Sequence, residues 1–232
     1  MSGAGLPPRA PSWTAETLAL FGKEWRCELR TRTALSTIGL FAFTTLVTVS
    51  LTLGPIGATE EMRPAAPVLL WLILLFAAAA GLPRSFVQEE EAGTADTLRL
   101  VARPSCLFCG KALYNFTVLL LLEALVTPLF FGILRVPVAD PLGFAAALVA
   151  GGIGLAVGST LIAAMVAQAR VRGPLFAVLA FPILLPLLKL AVDASLAAAS
   201  GAGAGAALEL AWLYDAMLTI AALMLFPLVW HP

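Results

Sequence analysis

The sequence predicts an all-α integral membrane protein with six transmembrane helices, an N-terminal amphipathic interfacial helix and a polar elbow on the cytoplasmic side. Three observations lead there. Of 232 residues, 60% are hydrophobic and only 12% are Asp, Glu, Lys or Arg, about half the charged share of an ordinary soluble domain. Mean hydropathy is +0.96, and the apolar residues fall in uncharged runs near the length that crosses about 30 Å of hydrocarbon. The basic residues gather between alternate runs.

Met1 to Pro11 is polar and proline-rich. It is expected to be disordered, and without a short apolar core and a small-residue cleavage site no secretory signal peptide is expected. Over residues 12–32, Leu18, Phe21, Trp25 and Leu29 recur at helical spacing while Glu16, Lys23, Arg26 and Arg30 occupy other faces, the pattern of an amphipathic helix. Trp25 and the basic side chains suit a helix lying in the headgroup layer; packing on other protein would produce the same pattern.

Spans are expected at about 35–53, 67–82, 113–134, 142–169, 174–188 and 211–230. Gly54-Pro55 ends the first, and Pro227 with Trp230 suits a helix leaving at an aromatic interface. In the fourth, Gly143, Ala147 and Gly151 recur every four residues, as do Ala150, Gly154 and Gly158, which lets another helix approach closely. Packing within the chain is favoured over a dimer contact there. Pro182 and Pro186 each remove a backbone donor from the fifth span, so a bend is expected. Beyond Lys189 the chain is expected to dip back or form a short helix before the sixth span, and Ala194 to Ala207 carries no nameable motif.

Six spans leave both termini on one side, and Lys and Arg in short loops accumulate on the cytoplasmic face. Arg9, Lys23, Arg26, Arg30 and Arg32 precede the first span; Arg84, Arg99, Arg103 and Lys111 follow the second; Arg170 and Arg172 follow the fourth. Only Arg63, Arg135 and Lys189 lie in the odd loops. Both termini are therefore expected in the cytoplasm.

Composition also narrows the chemistry. The formal net charge is zero, so no basic excess suggests nucleic acid as a partner. His231 is the one histidine, which excludes a multi-histidine metal cluster or bis-histidine haem ligation within one chain. Cys27, Cys106 and Cys109 all fall on the cytoplasmic side of this topology, where no structural disulfide is expected. Cys106 and Cys109 form a C-x-x-C that could serve as a redox pair or half a zinc site; with no second pair to complete four ligands, small residues entering a membrane helix are the preferred reading. Neither Gly22-Lys23 nor Gly110-Lys111 has the upstream glycine and following hydroxyl of a phosphate-binding loop. The chain is not expected to hydrolyse ATP.

Glu123 falls in the middle of the third span, where insertion scales put an ionised acid at roughly 2.5–3.5 kcal/mol. A carboxyl in a polar seam between helices and a buried acid bonded for packing alone are both open. Asp215 at the start of the sixth span and Asp193 after the fifth are expected to reach the outer interface and be solvated.

Residues 84–111 form the longest polar segment between spans. Arg84 to Glu91 reads as a helix extending inward, Gly93 breaks it, Thr94 can cap a short helix through Leu100, and Pro104 stops the run. Leu98 and Val101 would share one side, flanked by Asp96, Arg99 and Arg103, as a small apolar ridge for a groove on another protein. A solvated linker is the alternative, disfavoured because a helix of about two turns is marginal alone in water.

The segment Glu89-Glu90-Glu91-Ala92-Gly93-Thr94-Ala95-Asp96-Thr97-Leu98-Arg99-Leu100, followed by Pro104 and Gly110-Lys111, resembles the coupling region of six-span exporter-type ABC (ABC-2) permeases. Within them the chain is similar to the heme exporter protein B family, the permease of bacterial cytochrome c maturation. Glu28 to Arg30 and the Leu-Pro-Leu-Leu of Leu185 to Leu188 agree, and the resemblance runs from about Thr17 to the end. It implies a bacterial inner-membrane protein that binds no cofactor directly. It implies a cytoplasmic ABC ATPase subunit carrying ATP-Mg, a separate haem-handling membrane subunit, and two copies of the permease, whose work releases a haem-loaded chaperone. On this resemblance Glu89, Glu90, Gly93, Thr94, Leu98, Arg99 and Pro104 form the ATPase-coupling elbow. A permease for another lipid-like or small amphipathic compound shares the same architecture; a membrane enzyme or electron carrier fits less well, for want of convergent catalytic groups.

Overall fold

The computed structural model describes residues 11–54, 59–82, 84–168 and 172–230, and among these every regular element is an α-helix. In chain order they are α1 (Trp13–Thr31), α2 (Thr33–Leu53), α3 (Ala65–Gly81), α4 (Arg84–Glu91), α5 (Ala95–Val101), α6 (Pro104–Leu134), α7 (Pro141–Ala167), α8 (Arg172–Ser200) and α9 (Gly205–Trp230). The expected disorder of Met1 to Ala10, the Pro55 that follows α2, Arg170 and His231 lie outside the described residues. Five stretches are long and apolar enough to cross a membrane: Thr33–Leu53, Pro104–Leu134, Pro141–Ala167, Val178–Ser200 and Gly205–Trp230. Ala65–Gly81 is apolar but shorter.

Local chemistry sets the ends. Ser12 caps α1, its hydroxyl accepting from the Ala15 amide at 3.3 Å. Arg32 turns into the left-handed region, φ 54°, and separates α1 from α2. The Glu28 carboxylate reaches across this corner to accept from the Leu35 amide at 2.8 Å, satisfying a donor in the first turn of α2. Asp140 caps α7 by accepting from Gly143 N at 2.9 Å, with Pro141 at the first helical position.

Two elements depart from expectation. α8 does not end at Leu188 or dip back after Lys189: it continues unbroken to Ser200, with Pro182 and Pro186 inside it. Gly201 and Gly203, φ 75° and 85°, then turn the chain into α9. Pro104 does not terminate the short helix, which ends at Val101; it opens α6, a helix of 31 residues and so about 46 Å. That exceeds the hydrocarbon thickness by roughly 16 Å, so α6 projects as a post at the elbow end.

α7 is the hub, packed on α8, α9, α6, α3 and α4. Its burial leaves room only for small residues where neighbours cross. A Cβ at Gly151 would overlap the Trp71 indole of α3, and one at Gly154 would overlap Leu187 of α8 and Asp215 of α9. At Gly158 it would crowd Leu184. The small-residue pattern is thus filled from within the chain. Asn115 bonds Thr160 while Glu123, eight residues along α6, rests on Gly152, eight residues back along α7; the two helices are antiparallel. Trp71 Nε1 donates to Ser195 Oγ at 2.9 Å and pins α3 to α8.

Candidate functional site

The elbow keeps the expected order of helix, glycine and short helix. Gly93, φ 67°, supplies the left-handed residue between α4 and α5. Thr94 does not cap α5 with its side chain: it lies in the helical region, and its hydroxyl donates backwards to Glu89 O at 3.3 Å. α1 runs along the post of α6. Trp13 Nε1 donates to Ser105 Oγ at 3.2 Å, Glu16 Oε1 accepts from the Arg103 amide at 2.6 Å, and Trp25 meets Tyr114 edge-on at 5.6 Å. Gly110 lets Leu20 and the Thr17 carbonyl come close.

Between α1, α4 and α6 lies a quartet of charges, three of them buried and the fourth, Lys23, partly exposed. Lys111, 0% exposed, places Nζ 2.8 Å from Glu24 Oε1 and 3.1 Å from Glu89 Oε1. Lys23 also pairs with both carboxylates, at 3.0 Å from Glu24. The Phe86 ring covers the Lys111 ammonium, 4.6 Å from its centroid. Burial would raise the Glu24 carboxyl, but the Lys111 and Lys23 ammoniums outweigh it and hold the group below its ordinary range. Burial likewise opposes charge on Lys23, yet Glu24 and Glu89 hold that ammonium above its ordinary range. Lys111 bridges two desolvated carboxylates while Lys23 joins them from the partly exposed side, so losing Lys111 leaves buried charge poorly compensated.

A second anchor is Arg99. Its two terminal nitrogens donate at 2.6 Å to Glu90 Oε1 and Asp96 Oδ1, its Nε donates to Trp230 O at 3.1 Å, and its guanidinium lies 4.9 Å from the Trp230 ring centroid. A cation at the last carbonyls of α9 also suits the negative end of that helix dipole. Phe226 and Trp230 stack with centroids 5.8 Å apart, and Phe86 and Phe108 pack on Phe226. The elbow is thereby clamped to the end of α9.

These contacts sort the expected coupling residues. Gly93 and Thr94 are exposed. Glu89 is buried in the quartet, Glu90 and Arg99 bond one another, and Pro104 starts α6. Leu98 turns inward beside Ala95 and lines a cleft of about 410 Å³ with Lys23, Gln88 and Thr97. The apolar surface that α5 presents is Leu100 and Val101, 89% and 79% exposed, not Leu98 with Val101. The interfacial set also divides: Leu18 and Leu29 are exposed, while Phe21 and Trp25 pack against the core.

The intramembrane acids bring one correction. Asp215 is not at an interface: it is buried three turns into α9 against Gly154, with no hydrogen-bond partner among the described residues. Glu123 is buried against Gly152, also without one. Cys106 is buried and Cys109 half-buried at the start of α6, and among the described residues no group of His, Cys, Asp or Glu could hold a metal. Sequence reasoning missed the quartet. Its signal was the spacing of Glu24 and Glu28 with Thr17 and Leu20 on one helix face, together with a lysine, Lys111, at the foot of an apolar run.

The sequence model of the family described as CcmB protein matches residues 15–230. Heme exporter protein B of Bradyrhizobium diazoefficiens is 29% identical over 184 residues, covering 79% of this chain and 82% of that protein. The match takes in all but the first two residues of α1, the elbow and every apolar helix, and this chain belongs to the CcmB protein family.

Proposed function

We propose that this chain is the permease subunit of a haem-exporting ABC transporter that serves cytochrome c maturation. The observation that carries the reading is the family match over residues 15–230, supported by the name Heme exporter protein B on a relative aligned over most of both chains. In this reading the protein is a multi-pass inner-membrane protein with six spans, α3 together with Leu82 serving as the second, and both termini in the cytoplasm. The eleven-to-three distribution of basic residues supports that orientation.

A cytoplasmic ATPase subunit supplies the energy, and the elbow is where it docks. Coupling requires that the elbow bind two ATPase states with different free energy. The exposed residues available for this are Gly93, Thr94, Asp96, Thr97, Leu100 and Val101. Glu89, Glu90, Leu98, Arg99 and Pro104 act behind them, holding the elbow's shape. Two ATPase subunits call for two elbows, hence two copies of the permease. Haem is handled with a separate membrane subunit, and ATP-Mg belongs to the ATPase.

Affinity capture of the tagged chain from its native membrane, read by mass spectrometry, tests this. It should recover an ABC ATPase and a haem-binding membrane protein, and deletion of the gene should abolish c-type cytochromes. A deletion strain with normal c-type cytochromes would refute the reading.

A further inference from the structure

Along α6, Lys111, Asn115, Leu119, Glu123 and Thr127 recur every four residues on the stripe that faces the bundle. All but Thr127 are fully or almost fully buried, and the Thr127 hydroxyl is itself enclosed. Such a stripe is expected to be apolar in a membrane helix; here only Leu119 is. The polar contacts continue onto α7. Asn115 Nδ2 donates to Thr160 Oγ1 at 2.8 Å, and Thr160 Oγ1 donates to the Ala156 carbonyl at 2.6 Å, one turn from Gly152. Asn115 Oδ1 and Ser159 Oγ beside this chain are buried and bonded to no described residue. These polar groups lie between the quartet at the elbow end and the Glu123 carboxyl, with the apolar Leu119 between Asn115 and Glu123 on α6.

Both oxygens of Glu123 are buried and unbonded among the described residues, against a glycine that a larger residue could not replace without collision. The elements packed most extensively on α6 are α1, α2, α3, α7 and α9, and α4 meets its elbow end through Glu89 and Phe86 at Lys111. α2, α3 and α7 contain no ionisable side chain. α1 directs Lys23 and Glu24 to Lys111 and Glu89, and Glu28 to the start of α2, all at the elbow end. α9 brings Tyr214, which donates to Ile183 O at 2.7 Å, the exposed Glu209, and Asp215 on Gly154. Among the described residues no cation faces Glu123. An ionised carboxylate has no compensation there, whereas a neutral acid does not need it.

We propose that Glu123 is a proton-binding site of the bundle, holding a proton in this packed arrangement and releasing it to water when α6 and α7 part. On release the carboxyl O–H bond breaks, its electron pair stays on the carboxylate, and the proton passes to a water molecule. Rebinding reverses the step, with Asn115 and Thr160 providing the polar approach from the elbow end. Gly152 keeps the site closed by letting α7 lie directly on the acid.

Dicyclohexylcarbodiimide, which adds to protonated carboxyls in apolar surroundings, is the probe for the site. The purified full-length chain in lipid nanodiscs near neutral pH should carry a covalent adduct mapped by mass spectrometry to Glu123, absent from Glu123→Gln. A chain without an adduct on Glu123 overturns the proposal. The exchange is tested in cells, and this arm rests on the proposed role in cytochrome c maturation. Glu123→Gln fixes the neutral form at nearly the same volume, so ATPase capture should stay at the wild-type level while c-type cytochromes are lost, with partial recovery in Glu123→Asp. Wild-type cytochrome output from Glu123→Gln would reduce the acid to packing and overturn the exchange. If deletion of the whole gene leaves cytochromes intact, the transport reading fails while the adduct still decides the site.

Discussion

Removing the Lys111 ammonium should cost more than any other single change at the elbow end. Its Nζ lies 2.8 Å from Glu24 Oε1 and 3.1 Å from Glu89 Oε1, so the two carboxylates stand no more than about 5.9 Å apart. At an effective dielectric of about 20, two like charges at roughly 5 Å repel by about 3 kcal/mol. Lys111→Met preserves most of the packing volume under Phe86 but leaves those carboxylates facing each other, with the partly exposed Lys23 as their remaining cation. The expected loss is about 3 kcal/mol, within the range seen when one member of a buried ion pair is deleted. Denaturant unfolding in detergent measures it. Adding Glu24→Gln to Lys111→Met removes one of the stranded charges and should recover part of the loss. If Lys111→Met unfolds at the wild-type midpoint, or the double variant is as unstable as the sum of its singles, the quartet does not hold α1 to the elbow.

The same groups set a pH window. Glu24 is depressed from its ordinary 4.5, so its contribution is complete above that value and is lost as pH falls through the lower folded-state value. Lys23 is raised from 10.5, so its contribution is complete below that value and is lost as pH rises through the higher one. Limited proteolysis of α1 should therefore be slow between these limits and accelerate outside them; a flat profile would contradict the assignment. At the exposed end of α5, Leu100→Glu combined with Val101→Glu should leave folding unchanged and reduce ATPase capture, because neither side chain is covered by the chain itself. Gly151→Val places carbon into the Trp71 indole and should destabilise by about 1–3 kcal/mol, read as a lowered unfolding midpoint that Trp71→Phe partly restores.

Hydropathy exposed the helices because an apolar run must be long enough to cross lipid whatever surrounds it. It was blind to how charges within or beside those runs are paired. By position alone Lys111 is a loop cation and Asp215 an interfacial acid, since both lie near the ends of uncharged stretches. Lys111 is instead covered by α1 and Phe86, and Asp215 by Gly154 of α7. In the sequence, proline and lysine near Leu188 resemble the end of the fifth span. Packed neighbours can re-satisfy the groups a proline frees inside a bundle, and Lys189 pairs with Asp193 one turn on, so the helix continues. The elbow was legible as glycine, short helix and proline, but not which side faced out. That depended on Leu98 finding a cleft made by α1 and α4, two elements distant from it in the first case by some seventy residues.

Burial of the elbow's charges has a mechanical consequence. A flexible loop carrying exposed acids and arginines could bind an ATPase, but binding would reorder the loop without displacing the bundle. Here Arg99 ties α5 to Glu90 of α4 and to the last carbonyl of α9, while Glu89 ties α4 to α1 and to the post of α6 through two lysines. The Lys111–Glu89 tie is shielded from water, and the Arg99–Glu90 tie is partly so. The short helix that carries Leu100 and Val101 is thereby connected to three long elements, α1, α6 and α9. Of these, α6 and α9 bear on α7 through Glu123 at Gly152 and Asp215 at Gly154. Gly152 and Gly154 of α7 let those two acids approach its backbone, while Asn115 and Thr160 bond α6 to α7 nearer the elbow. The two buried acids lie on α6 and α9, the helices tied to the elbow, whereas α2, α3 and α7 carry no ionisable side chain.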